Sequence, residues 1–274
     1  MAHPAADPVS STLRTRVLSA AVLAPAVLVP LYFGGMGFAL LLALAAILMA
    51  AEWDRLTGGS GFGAQGLAAA LGLLVVLTLG YYGRSGWALL ALPAMALLLA
   101  GFGRLRGRGM VWPVLGLFWL GLPCLALLWL RMGDQGMLAV SWLFVAVWSC
   151  DTGAYFAGRG LGGPKLAPRI SPKKTWSGLL GGMLAAALAS AGLAAFVDHG
   201  SAVPFAVLGA VLALISQCGD LAESGVKRRF DVKDSGALIP GHGGILDRVD
   251  GILFAAPALA LLALVPNHGL LPWR

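Results

Sequence analysis

The chain has 274 residues, of which 59% are hydrophobic and only 11% charged, with a mean hydropathy of +0.85. A soluble domain carries about 25% charged residues, so a soluble globular fold is excluded. Nineteen Lys and Arg against twelve Asp and Glu leave a net charge of +7, whose meaning depends on where those charges sit.

Nine largely apolar runs follow in chain order: 17–33, 36–51, 66–82, 86–102, 110–130, 137–157, 176–197, 202–223 and 245–265. At a rise of 1.5 Å per residue, runs of about this length cross a hydrocarbon core about 30 Å thick. The expected fold is therefore all-α: a polytopic integral membrane protein of about nine transmembrane helices. The first run exceeds the apolar stretch of a typical signal peptide and is read as a span. With the N-terminus in the cytoplasm, 16 of the 19 basic residues fall in inner segments, leaving Arg84, Arg131 and Arg274 outside. That asymmetry follows the positive-inside bias, and adding or removing one helix would scatter it. The C-terminal Trp273-Arg274 is then expected outside.

Residues 1–136 form an N-terminal region of about five spans with little polar content inside them. Residues 137–274 form a region of about four spans, two basic loops and most of the intramembrane acids, and the chemistry is expected here. Cys124, Cys150 and Cys218 lie in apolar runs without metal or redox spacing and are read as packing residues. Glu52 and Asp54, flanking Trp53 before Arg55, are read as interfacial charges or a local ion pair at a helix end.

The sixth span carries Asp151 toward its inner end, with Tyr155 one turn later, placed to hydrogen-bond Asp151 or a substrate hydroxyl. Next come Ser171, Lys173, Lys174 and Thr175, a basic patch before the seventh span. In that span Gly178, Gly182, Ala186 and Ser190 recur every four residues, a stripe for close helix packing, with a homodimer contact as the alternative. In the eighth run Asp220, Glu223 and Ser224 stand at i, i+3 and i+4 on one helix face, and Asp247 and Asp250 stand at i and i+3 in the ninth. Carboxylates at membrane depth face a polar cavity or a partner. Clustered carboxylates near phosphates suit Mg²⁺, so Asp220, Asp247, Asp250 and Glu223 are the candidate metal ligands. For Glu223 the alternative is neutralisation of the neighbouring basic residues. Between these helices, Gly241, His242, Gly243 and Gly244 close a loop whose amides could face a phosphate at a helix N-terminus.

The stretch SQCGDLAESGVKRRFDVKDSGALIPGHGGILDRVD, residues 216–250, resembles the C-terminal signature of phosphatidate cytidylyltransferases. It holds Ser-x-x-Lys-Arg, Lys-Asp, Pro-Gly-His-Gly-Gly and Asp-Arg-x-Asp elements in order. A second polar segment, DTGAYFAGR at 151–159 followed by SPKKTWSG at 171–178, also resembles the family; Ser177 departs from it, since Glu is more usual there. The resemblance implies transfer of the cytidylyl group of CTP to phosphatidate with a divalent metal, Mg²⁺ with a second cation as an option. It makes Asp220 and Asp247 the leading ligands and Asp250 an additional one. Lys227, Arg228, Lys233 and Arg248 would then bind the triphosphate or the lipid phosphate, in a set that also takes in Asp234. The expected partners are CTP, phosphatidate and the bilayer, with no nucleic acid. The expected location is the bacterial inner membrane, with the site facing the cytoplasm. Two rival readings remain. A CDP-alcohol phosphotransferase lacks support because its Asp-Gly-x-x-Ala-Arg opening is absent, and an ion-coupled transporter fits poorly with acids gathered at one membrane face.

Overall fold

The computed structural model describes residues 8–107, 109–197, 201–239 and 243–265, with the backbone alone for 8–17 and Ala20. Lipid offers no hydrogen bonds to a bare backbone, so apolar chain crosses a bilayer as helix, and helix dominates here. Among the described residues nine helices run in order: α1 (Pro8–Phe33), α2 (Gly35–Leu56), α3 (Ala64–Tyr81), α4 (Ser85–Leu105), α5 (Val111–Met132), α6 (Gly136–Gly160), α7 (Trp176–Phe196), α8 (Ala202–Arg229) and α9 (Leu246–Leu264). Seven of them, α2 to α8, are long and apolar enough to span a membrane, and a shorter apolar stretch occupies Ala21–Phe33 of α1. The protein is an all-α integral membrane protein.

One exception to helix stands between α6 and α7. The segment expected as a basic loop before the seventh span contains an antiparallel hairpin, β1 (Lys165–Ala167) and β2 (Ser171–Thr175), with Lys165 opposite Thr175 and Ala167 opposite Ser171. Pro168, Arg169 and Ile170 make its turn. Thr175 ends β2 and starts α7, its Oγ1 accepting from the Gly178 amide at 3.0 Å. This is an N-cap, the place where Thr satisfies a free helix donor.

Two groups of helices meet at α9 and where α5 packs on α6. In the first, α5 packs against α2, α3 and α4; in the second, α6, α7 and α8 pack on one another; α9 lies against both α5 and α8. Small residues set the spacing. The stripe in α7 is used within the chain: Gly178 and Gly182 face Ala154, with Gly158 and Cys150 alongside, while Ser190 faces Gly209 of α8. Gly219 lets α8 close on α9, because a Cβ there would stand 2.7 Å from the Asp250 carbonyl oxygen. Aromatic rings tie α2 to α5 and α9: Trp53 packs on Trp119 at 5.5 Å between centroids, and Trp119 on Phe254 at 5.0 Å. The Trp53 Nε1 donates to the Trp112 carbonyl at 2.8 Å, so this buried indole is satisfied. Cys124 and Cys150 are buried as expected of packing residues, whereas Cys218 is exposed.

Candidate active site

The polar ends of α6, α8 and α9 converge with β2. Lys174 reaches from the hairpin to Asp220 Oδ2 at 2.6 Å and to Gln217 Oε1 at 2.9 Å. Gln217 in turn donates to Asp151 Oδ1 at 3.3 Å, and Ser224 donates to Asp220 Oδ1 at 3.3 Å. The two sequence segments that carry the resemblance, far apart in the chain, are therefore in direct contact. Asp250 stands where Gly219, the neighbour of Asp220, closes on α9, and burial together with the charges of Asp220, Glu223 and Asp151 disfavours its ionised form.

Lys227 lies between two helices, its Nζ 3.1 Å from Glu223 Oε1 on α8 and 2.7 Å from Asp247 Oδ1 on α9. Glu223 is 1% exposed, and its second oxygen is buried without a hydrogen-bond partner. Of the neighbouring basic residues Lys227 thus engages one oxygen of Glu223, and the other oxygen is left in search of a cation or donor.

Asp247, expected as a leading ligand, has both carboxylate oxygens engaged in this structure. Oδ2 accepts from the Ser235 amide at 2.9 Å, the Ser235 hydroxyl at 3.0 Å and the Gly244 amide at 2.9 Å, while Oδ1 takes Lys227. It organises the loop before α9. The Gly243 amide donates to the Ile239 carbonyl and the Gly244 amide to Asp247, so neither is directed at a phosphate; Gly243 serves at φ 85, a turn conformation that glycine takes without strain. Gly241 and His242 lie outside the described residues. Tyr155 does not meet Asp151, because its hydroxyl accepts from Arg159 Nη1 at 2.8 Å on an exposed face. Thr175 is buried as the cap of α7 rather than open to substrate.

Of the remaining cations, Arg228 is exposed and donates weakly to the Ile170 and Val232 carbonyls at 3.4 and 3.3 Å. Lys173, Lys233, Asp234 and Arg248 are exposed around the same end, and Ser171 is half-buried in β2. Among the described residues no three His, Cys, Asp or Glu side chains converge on one point as a ready-made metal cage.

Gln217 and Ser235 escape sequence reasoning, and Glu52 and Asp54 are misplaced by it. Gln217 is 5% exposed and stands one turn before Asp220 on the same face of α8, a spacing that the stripe Gln217, Asp220, Ser224, Lys227 makes legible. Ser235 has no such periodic signal. Glu52, read as interfacial, is 4% exposed and accepts from the Ile245 and Leu246 amides, each at 2.9 Å. Asp54 is also buried and accepts from the Gly61 amide at 3.0 Å. Both were misread because α2 continues to Leu56 and packs inward at its end.

Residues 14–265 match the family model described as the cytidylyltransferase family. The chain belongs to that family. It is similar to the phosphatidate cytidylyltransferase of Brucella suis biovar 1 (strain 1330), 42% identical over 258 residues covering 93% of this chain and 94% of that protein. The phosphatidate cytidylyltransferase of Rickettsia bellii (strain RML369-C) is 32% identical over 94% of this chain and 93% of its own length. That of Rickettsia felis (strain ATCC VR-1525 / URRWXCal2) is 40% identical over 56% of this chain and 70% of its own length. The similarity to cytidylyltransferases runs through both helix groups as well as the C-terminal signature.

Proposed function

We propose that the chain transfers the cytidylyl group of CTP to phosphatidate, forming CDP-diacylglycerol and pyrophosphate at the cytoplasmic face of the bacterial inner membrane. The observation that carries this reading is the contact of Lys174 with Asp220 and Gln217, which joins the two polar segments into one centre. The names of the relatives in Brucella and Rickettsia support the choice of substrates.

An oxygen of the phosphatidate phosphate forms a bond to the α-phosphorus of CTP, and the bond from that phosphorus to the β-phosphate bridging oxygen breaks, releasing pyrophosphate. The attacking oxygen is an anion at neutral pH, so the work is to bring two polyanions together in line. Lys174, Arg228, Arg248, Lys173 and Lys233 surround this end with positive charge and supply it. Lys227, held between Glu223 and Asp247, keeps α8 and α9 in register rather than reaching into solution.

The donor set fits a hard divalent cation. Asp220 and Asp250 repel each other, and the partnerless oxygen of Glu223 lies in the same cluster. Mg²⁺ is usually held by one or two carboxylates and completed by water and substrate phosphates, which suits an arrangement without a three-residue cage. Asp220 and Asp250 would hold it, and it would supply charge neutralisation between the two phosphates and polarise the reacting one.

The reading is tested with purified protein in mixed micelles and CTP labelled at either the α- or the γ-phosphate. Only the α-label should enter the lipid phase, and only with phosphatidate present. Transfer of the γ-label would identify a different phosphoryl transfer and sink the proposal.

A further inference from the structure

The carboxylate of Glu52, on α2, lies against the loop and helix start that carry Asp247, nearly two hundred residues away in sequence. Its Oε1 accepts from the Ile245 amide and its Oε2 from the Leu246 amide, each at 2.9 Å, and the Ser235 hydroxyl is 3.3 Å from Oε2. The first amides of a helix have no partner within it, and α9 has no side-chain cap of its own at Ile245. Glu52 supplies the cap from another helix, and its negative charge sits at the positive end of α9. The loop is shaped around this group: a Cβ at Gly236 would lie 2.9 Å from Oε1, and one at Gly244 would lie 2.6 Å from Oε2.

The contacts continue into the catalytic end. Ser235 Oγ lies between Glu52 Oε2 and Asp247 Oδ2, 3.3 and 3.0 Å away. Asp247 holds Lys227, and Lys227 holds Glu223. One connected chain of polar contacts thus runs from α2 through the loop and α9 to α8, within a turn of Asp220 and Asp250.

We propose that Glu52 is a positioning residue for cytidylyl transfer: it fixes the loop before α9 and the first turn of that helix, and through Ser235 and Asp247 sets where Asp250 and Arg248 stand. This rests on the functional reading above. A carboxylate accepts from both amides at once, whereas an amide side chain of the same size would turn an NH₂ toward one of them, donor against donor. The first helix group is then part of the catalytic apparatus, and the polar end of α6, α8 and α9 depends on it.

The test compares full-length wild type, Glu52→Gln and Asp54→Asn, the last removing a buried charge from the same helix without touching the loop before α9. Two quantities are read: kcat and KM for CTP per folded molecule, and the rate of thiol modification at position 238 after Leu238→Cys, with the three native cysteines replaced. Leu238 is exposed and lines a cavity of about 170 Å³ together with Glu52 and Ala237. Glu52→Gln should lower kcat at least about tenfold and speed labelling several-fold, while Asp54→Asn changes each by less than about twofold. Glu52→Gln with kcat within about twofold of wild type and an unaltered labelling rate overturns the proposal, as does an equal loss in both variants. If Glu52→Gln does not fold, Ser235→Ala decides in its place, with the same directions and the same limits. A wild-type chain inert with CTP and phosphatidate would sink the functional reading instead; the clamp would then stand or fall on the labelling rate.

Discussion

Asp220 and Asp247 are both carboxylates at the same end of the helices, yet their surroundings give them different work. Asp220 is about one third exposed and meets one lysine and one serine, so removing its charge empties a site without unpicking the fold. Asp220→Asn is expected to lower kcat by about two orders of magnitude or more while the melting temperature in detergent stays within a few degrees. Asp247 is 7% exposed and holds Lys227 and the loop before α9. Breaking a buried ion pair by removing one partner costs about 3–5 kcal/mol, so Asp247→Asn is expected to lose both folded protein and activity. Thermal melts and assays of the two variants side by side check this, and equal melting behaviour would place Asp247 in a purely catalytic role. Lys233 is exposed, so Lys233→Ala is expected to raise the apparent KM for CTP with kcat little changed, as lost uniform binding does. Chelation of divalent cations with EDTA should abolish turnover and Mg²⁺ should restore it, whereas turnover unaffected by chelation would refute the roles given to Asp220 and Asp250.

At the scale of elements, the spacing of α8 and α9 decides whether the carboxylates of the two helices share one centre. Gly219 faces the Asp250 carbonyl and the Phe254 side chain. A methyl group there must push backbone from backbone, and overpacking of this kind costs about 1–3 kcal/mol. Gly219→Ala is expected to reduce kcat about tenfold or more by parting Asp220 from Asp250, measured against Gly225→Ala, which has open space around its Cβ position. Helix existence was legible in the sequence because apolar runs in lipid have no other regular option, and the stripe in α7 announced close packing by its period of four. The polar stripe on α8 was legible for the same reason. The hairpin was not: three strand residues opposite five, with Pro168 in the turn and Pro172 inside β2, show no alternation of apolar and polar positions. Glu52 was hidden by its neighbours, since a charge cluster at a helix end looks the same whether it meets water or the amides of another helix. Only the packing of α2, α5 and α9 through Trp53, Trp119 and Phe254 brings the loop over it.

Across the whole molecule, both helix groups contribute to one end, and the basic residues gather toward it. Lys165, Lys173, Lys174, Lys227, Arg228, Lys233 and Arg248 belong to the hairpin, to the polar ends of α8 and α9 or to the loop between those helices. The orientation proposed above, which follows the positive-inside bias, puts this end in the cytoplasm with CTP. Single cysteines in place of Arg106, Lys173 or Lys233, with the native cysteines removed, are expected to react with an impermeant reagent only after the membrane is opened. Labelling at position 233 in intact cells would reverse the orientation. The central claim is that the cluster around Lys174, Asp220 and Asp250 is where CTP and phosphatidate react. Its most direct measurement is the formation of lipid-phase CDP-diacylglycerol from α-labelled CTP and phosphatidate by purified wild-type and Asp220→Asn protein, assayed together with Mg²⁺ present. The account predicts steady product from the wild type and a loss of about a hundredfold in the variant at equal folded protein; no product from the wild type, or undiminished product from Asp220→Asn, would contradict it.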